Sequence, residues 1–238
     1  MLNLTREPVV QLAEHTDPER LKERLPYLLN PERMNKHLIE MWSKVGGRFG
    51  SETETALKNA KSGIPVMEWK EDSRQLELWE NRMKAYAAER SLKKAKKILT
   101  TEQEAINNLI DQVIEQAKTE GMGIPETRRL MQDVLKGDEM VAIENYQAER
   151  IARTEVGSAS NTASFQAAME NPEGVTKGWL ISGLKNMRES HIFYGSMGDL
   201  MPMNYEYNTG LKFPQDPDCP LAEDVINCRC TIIYNVDN

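Results

Sequence analysis

The residues best suited to chemistry stand near the end of the chain: His191, Cys219, Cys228 and Cys230. Cys228 and Cys230 are two apart at the head of a β-branched run, so on a strand both thiols point to the same face. That spacing suits two ligands on one metal and is poor for an intrastrand disulfide, whose bridge needs close Cα atoms. His191 and Cys219 would complete a tetrahedral set of three cysteines and one histidine, a donor set suited to a structural zinc. The bland alternative keeps the cysteines as small buried hydrophobes and His191 as a local hydrogen-bonding group. Cys228 as nucleophile with His191 as base is a third arrangement. No nucleophile elbow or glycine-rich phosphate loop accompanies it, so the expectation is that no catalytic constellation is present and that these residues tie down the C-terminal segment. Asp199, Asp216 and Asp218 lie in proline- and glycine-rich stretches, where carboxylates serve as turn-formers more often than as acid catalysts.

The elements that must position these groups follow from the patterning. The first 170 residues read as successive helices. Asp17-Pro18 and Asn30-Pro31 are cap-plus-proline starts. Ser51 with Glu54, and Thr101 with Glu104, have the spacing of capping boxes. Ile106, Leu109, Ile110, Val113, Ile114 and Ala117 form one apolar helical face, and Leu130, Met131, Val134 and Leu135 form another. A long helix is expected from Glu139 to Glu170, with small residues at Ala152, Ala159, Ala163 and Ala167 that admit a close neighbour. Asn171-Pro172-Glu173-Gly174 stops it. Val175, Lys177, Trp179 and Ile181 then alternate as in a half-buried strand. A short helix over 186–194 would present Arg188 and His191 together. Met203, Tyr205 and Tyr207 before Asn208-Thr209-Gly210 predict a hairpin, and Thr231 to Val236 a final strand. The fold class is α+β: a mainly helical N-terminal region, 1–120, followed by a small α+β domain, 121–238.

Length and composition are consistent with this. The 238 residues are 39% hydrophobic, 6% aromatic and 28% charged, a balance that fits long, partly exposed helices. The net charge is −7, with 6 basic against 11 acidic residues from Ile151 onward and 24 against 26 before it. An acidic chain gives no global support for nucleic-acid binding. The one concentrated basic run is Lys93, Lys94, Lys96 and Lys97, with Arg82, Lys84 and Arg90 before it. It is either a solvated helix face or a contact for phosphates or an acidic partner, giving weak, nonspecific DNA binding. Trp42, Trp69 and Trp79 are core anchors or partner hot spots. No segment approaches the ~20 apolar residues of a membrane span, the N-terminus lacks a signal-peptide pattern, and three cysteines argue against a disulfide framework. A reducing cytoplasm is the expected place of synthesis.

Ala152-Arg153-Thr154-Glu155, Trp179, Arg188 with His191, Gly195, Pro214-Gln215-Asp216-Pro217 and Asn227-Cys228-Arg229-Cys230 follow one another in an order that resembles the phage Mu F-like minor head protein family. The resemblance covers roughly 121–231. The family often carries an acid a few residues after the tryptophan, where this chain reads Ser182-Gly183-Leu184-Lys185. The resemblance implies a minor head protein of a tailed phage or prophage, assembled in the host bacterial cytoplasm and carried in the virion. It would be associated with the portal protein, act in head morphogenesis and in DNA packaging or ejection, and have the major capsid or scaffold protein as further candidate partners. Arg153, Glu155, Trp179, Arg188, His191, Asp216, Asn227, Cys228 and Cys230 would be its structural motif. Independently of the resemblance, Arg188 and Glu155 are expected to form a charged pair, since each is costly if buried alone. The alternative is a metal- or thiol-dependent, nuclease-like enzyme built on His191 and the terminal cysteines.

Overall fold

A computed structural model describes residues 6–13, 18–28, 30–63, 72–120, 122–136, 138–183, 187–198 and 200–237. Trp69 and Asp199 lie outside the described residues, as does the Asp17 cap. Six helices come first: α1 (Arg6–Ala13), α2 (Pro18–Leu28), α3 (Pro31–Lys61), α4 (Ser73–Glu120), α5 (Ile124–Lys136) and α6 (Asp138–Met169). The strands β1 (Val175–Leu180), β2 (Met201–Pro202) and β3 (Thr231–Val236) follow, with the short helices α7 (Glu189–Ser196) and α8 (Ala222–Val225) between them. This is the expected α+β order. No helix among the described residues is long and apolar enough to cross a membrane.

Asn30 caps α3 as its position before Pro31 predicts: its Oδ1 accepts the Arg33 amide at 2.8 Å. Asp72 does the same for α4, accepting from Arg74 and Gln75. The two expected capping boxes are corrected. Ser51 lies inside α3 and Thr101 inside α4. The Thr101 hydroxyl donates back to the Lys97 carbonyl at 3.1 Å, a bond that lets threonine remain within a helix.

The chain forms two compact units that interleave along the sequence: 1–36 with 90–150, and 37–89 with 151–238. Residue 120 does not divide them, because α3, α4 and α6 each contribute to both. At 48 residues, α4 contributes a stretch to each unit.

The first unit has an aliphatic core. Val9 and Ala13 of α1, Leu21 and Leu25 of α2, Ile106, Leu109, Ile110 and Val113 of α4, and Met131 and Leu135 of α5 pack together. The α4 and α5 residues are those of the predicted stripes.

In the second unit, α3, α4 and α6 pack around Trp42, Trp79, Met83, Ala87, Ala159, Ala163 and Ala167. Gly46, Gly47 and Gly50 allow the close approach: a Cβ at Gly50 would sit 2.4 Å from the Trp79 ring. Trp42 and Trp79 are therefore core anchors, and each indole N–H has a carboxylate acceptor, buried for Trp42 and half-buried for Trp79. Trp42 donates to Glu155 at 2.9 Å and Trp79 to Glu54 at 2.7 Å.

The sheet order is β2-β1-β3, antiparallel throughout, with Lys177 opposite Tyr234 and Trp179 opposite Ile232. The predicted hairpin at 203–213 is corrected. Met203 and Tyr207 do turn inward, but their segment forms a tight loop closed by Tyr207 N–H to Leu211 O at 2.8 Å. The carbonyls of Met203, Tyr205 and Lys212 accept from the Lys177 ammonium, at 2.9, 2.6 and 2.6 Å, instead of from a neighbouring strand.

Candidate metal centre

Two devices carry the C-terminal segment to its place. The first is a polar clamp along α6, built on the Ala-Arg-Thr-Glu segment and the turns after it. Gln215 and Asn227 both take positive φ, 60° and 61°, rare for residues with a side chain. The bent backbone turns their polar groups onto the helix. The Gln215 side-chain amide donates to the carbonyls of Arg153 and Thr154 at 3.2 and 3.4 Å, and the Gln215 backbone carbonyl accepts from the Ser158 hydroxyl at 2.8 Å. Gly157 makes room, since a Cβ there would fall 1.8 Å from Gln215 Oε1. The Asn227 amide donates to Thr154 Oγ1 at 2.8 Å, and its side chain accepts from Arg153. Asn161 then bridges to the last strand: it donates to the Cys230 carbonyl at 3.3 Å and accepts from the Ile232 amide at 3.2 Å and the Thr231 hydroxyl at 3.0 Å.

The second device is Lys177, fully buried on the core face of β1. Besides its three carbonyls it stands 5.0 Å from the Phe165 ring centre and 5.9 Å from that of Tyr207. Burial lowers its pKa to about 8, against the opposing pull of the Asp216 carboxylate. Asp216 is itself a turn-former, accepting from the amides of Lys212 and Asp218, each at 3.0 Å. Burial raises its pKa.

These ties deliver the segment just before β3 to α7; Cys228 and Cys230 lie outside the strand that their spacing predicts. His191 Nδ1 lies 3.5 Å from Cys228 Sγ and 3.7 Å from Cys230 Sγ. The three ligand atoms all fall within 4.8 Å of one another, and all three residues are buried. A tetrahedral zinc with ordinary Zn–N and Zn–S bonds would hold nitrogen and sulfur about 3.6 Å apart. The two measured separations bracket that value, so the donor set fits a zinc-class ion. The thiols are unequal. The hydrogen bond from Cys228 draws Cys230 down toward the thiolate, with help from His191 and the nearby Trp179 indole. The same bond, with burial, holds Cys228 up. One thiolate is thus favoured before any metal arrives.

Aromatic rings wall the cluster. Trp179 meets His191 edge-on at 5.0 Å between ring centres, and Tyr194 and Tyr207 lie 5.2 and 5.0 Å from Trp179. On the far side of the imidazole, Nε2 is 3.7 Å from Asp224 Oδ1.

Several expectations are corrected. Foremost is the expected lack of any catalytic constellation: His191, Cys228 and Cys230 are positioned to bind a metal ion, which gives the chain metal-binding and hence chemical capacity. Sequence separations of 37 and 39 residues conceal a cluster that exists only once the irregular segment before β3 meets α7. Cys219 is not a member, since its thiol donates to the Thr209 and Leu221 carbonyls at 3.5 and 3.6 Å. Arg188 precedes α7 and donates to the Ile226 carbonyl at 2.6 Å, while Glu155 accepts from Trp42, so the two do not form the expected pair.

Lys93, Lys96 and Lys97 are exposed on α4 and Lys94 is half-buried; all four belong to the first unit. Sequence reasoning missed Lys177, Asn161, Gln215 and Asp224 as structural or site residues. Of these, Lys177 was legible, because strand alternation sets it on the face of Val175 and Trp179. No family model matches the chain, and no curated protein and no solved structure gives a significant match.

Proposed function

We propose that the second unit carries a thiolate-rich metal centre in which His191, Cys228 and Cys230 hold a zinc-class divalent ion, and that the chain is a metal-dependent enzyme of hydrolytic, nuclease-like type. The observation that supports this is the pair of nitrogen–sulfur separations, 3.5 and 3.7 Å, converging on one imidazole nitrogen. Three protein ligands is the number characteristic of catalytic zinc sites, which keep a fourth position for water or substrate, whereas structural sites fill all four. A bound zinc would act as a Lewis acid and lower the pKa of a coordinated water. The chain's own contribution is to orient the imidazole, keep one sulfur close to the thiolate form and surround the centre with rings that restrict solvent. Elemental analysis of the purified protein, with nuclease assays before and after chelation, tests the reading. About one equivalent of metal and a chelator-sensitive activity, lost in Cys230→Ser, are expected. A metal-free protein that neither binds added zinc nor cleaves nucleic acid overturns it.

A second reading concerns the biological setting, and the two are compatible. The resemblance to Mu F-like minor head proteins rests on residues that converge here on one clamp and one cluster, as Arg153, Asn227, Cys228 and Cys230 do. That convergence supports treating the motif as one functional unit. On this reading the chain is portal-associated and acts in head morphogenesis, packaging or ejection. Co-sedimentation with portal oligomers is the expected result, and its failure against portal and capsid proteins alike removes this reading.

A further inference from the structure

The histidine in the cluster has two nitrogens, and only one can serve a metal. Nδ1 faces the sulfurs, while Nε2 is buried, without a hydrogen-bond partner, and 3.7 Å from Asp224 Oδ1. Asp224 is itself almost fully buried, at 6% exposure, a costly place for a carboxylate. It stands in the single turn of α8, whose backbone is closed by Asp224 N–H to Leu221 O at 3.1 Å and Ile226 N–H to Ala222 O at 2.9 Å. Cys228 follows four residues later, its amide donating to the Val225 carbonyl at 3.3 Å. One short segment therefore sets a carboxylate on one side of the imidazole and a thiol on the other. Ser190, next to His191, donates to the same Asp224 oxygen at 3.3 Å, which fixes the carboxylate in place.

We infer that Asp224, held by Ser190, is the positioning residue of the metal centre: it accepts a hydrogen bond from Nε2–H, holds the imidazole proton on Nε2 and thereby keeps Nδ1 unprotonated and aimed at the metal. The inference rests on the metal-centre reading proposed above. Its physical basis is tautomer control. A neutral imidazole carries one proton, and a carboxylate beside Nε2 places that proton there, leaving the Nδ1 lone pair free. Shortening the gap by about 0.6 Å makes an ordinary N–H···O bond.

The test uses the full chain as wild type, Asp224→Ala, Asp224→Asn and Ser190→Ala. Zinc affinity is measured by competition with a chromophoric chelator, and the site is read by the absorption bands of bound cobalt(II). Asp224→Ala is expected to weaken zinc binding about 10–100-fold. At saturating cobalt it should keep the wild-type band pattern, because all three ligands remain. Asp224→Asn, whose amide oxygen still accepts, should recover part of the loss, and Ser190→Ala should show a smaller one. Circular dichroism checks folding; if Asp224→Ala does not fold, Asp224→Asn and Ser190→Ala decide by the same measurement. Wild-type affinity in the folded Asp224 variants overturns the inference and leaves the metal centre standing. Failure of the wild-type protein to bind zinc or cobalt removes the metal centre itself.

Discussion

The two units of this chain solve the same problem with different materials. In the first, buried side chains are almost all aliphatic, and Ser91 is the one buried polar residue among its described residues. In the second, Thr154, Glu155, Ser158, Asn161, Lys177, His191, Gln215, Asp216 and Asp224 are all buried, and most are hydrogen-bonded over long sequence separations. Aliphatic burial is non-directional, so it secures helices against one another without fixing any atom closely. Buried polar bonds are directional and costly to leave unmade. They locate the ends of loops and strands to within a hydrogen-bond length. A cluster of two thiols and an imidazole needs that placement, and it lies in the unit that supplies it.

The sharpest way to break this contrast is Lys177→Met. Three carbonyls, one buried and two part-buried, would lose their donor, and we expect destabilisation of about 4 kcal/mol in urea unfolding followed by a probe in the second unit. A loss below about 1 kcal/mol would mean that the carbonyls find other partners and that the polar core is dispensable. The same lysine gives a pH signature. Its folded pKa is about 8 and its unfolded value 10.5, so between those limits the unfolded chain binds more protons. Stability should rise as pH climbs through that window, and in Lys177→Met the rise should be smaller, keeping only what the depressed Cys230 thiol contributes below pH 9. The comparison is best made below pH 10, because burial raises Tyr207 to about 12, and its retained proton reverses the slope at higher pH.

Leu25→Ala in the first unit should cost about 3 kcal/mol as a cavity. Hydrogen exchange over α2 and α5 should report it, with zinc affinity at His191 unchanged; altered affinity would show that the two cores are not independent. Gly50→Ala should cost about 2 kcal/mol, since overpacking against the Trp79 ring outweighs the gain in helix propensity. A stabilised variant would show that α3 and α4 have room to part. Smallest is Asp111→Asn. Its bond to Lys22 is exposed on the acid's side, and a thermal melt should move by less than about 1 kcal/mol. A larger loss would bring electrostatics into the aliphatic unit and blur the contrast.

How far the sequence could be read follows the same division. The stripes Ile106 to Ala117 and Leu130 to Leu135, the long sixth helix and the last strand were all legible, because helix and strand periodicity repeats within a few residues. The false capping boxes at Ser51 and Thr101 show the limit of local rules: the same four residues fit a helix start or a helix interior. The hairpin at 203–213 failed for a different reason. Its alternation was real, but its carbonyls found a lysine almost thirty residues upstream in place of a strand. At the site, His191, Cys228 and Cys230 were legible as ligand types. Cys219 fits the donor type but stands elsewhere, because a chemically suitable thiol at a plausible distance along the chain says nothing about where the loop carries it. Asp224 was invisible, being one acid among many until a fold set it beside an imidazole.

By itself, then, the sequence determined the helices, the strand pattern of the last segment and the kinds of donor available to a metal. Those depend on short-range periodicity and on side-chain chemistry, which need no knowledge of the rest of the chain. Tertiary structure decided which thiols meet the histidine, which nitrogen they meet and what stands behind it. Those choices rest on contacts between residues 33 to 74 positions apart, and such contacts are fixed by the packing of whole elements, with Gln215 and Asn227 bent into the positive-φ region to reach the helix that holds them.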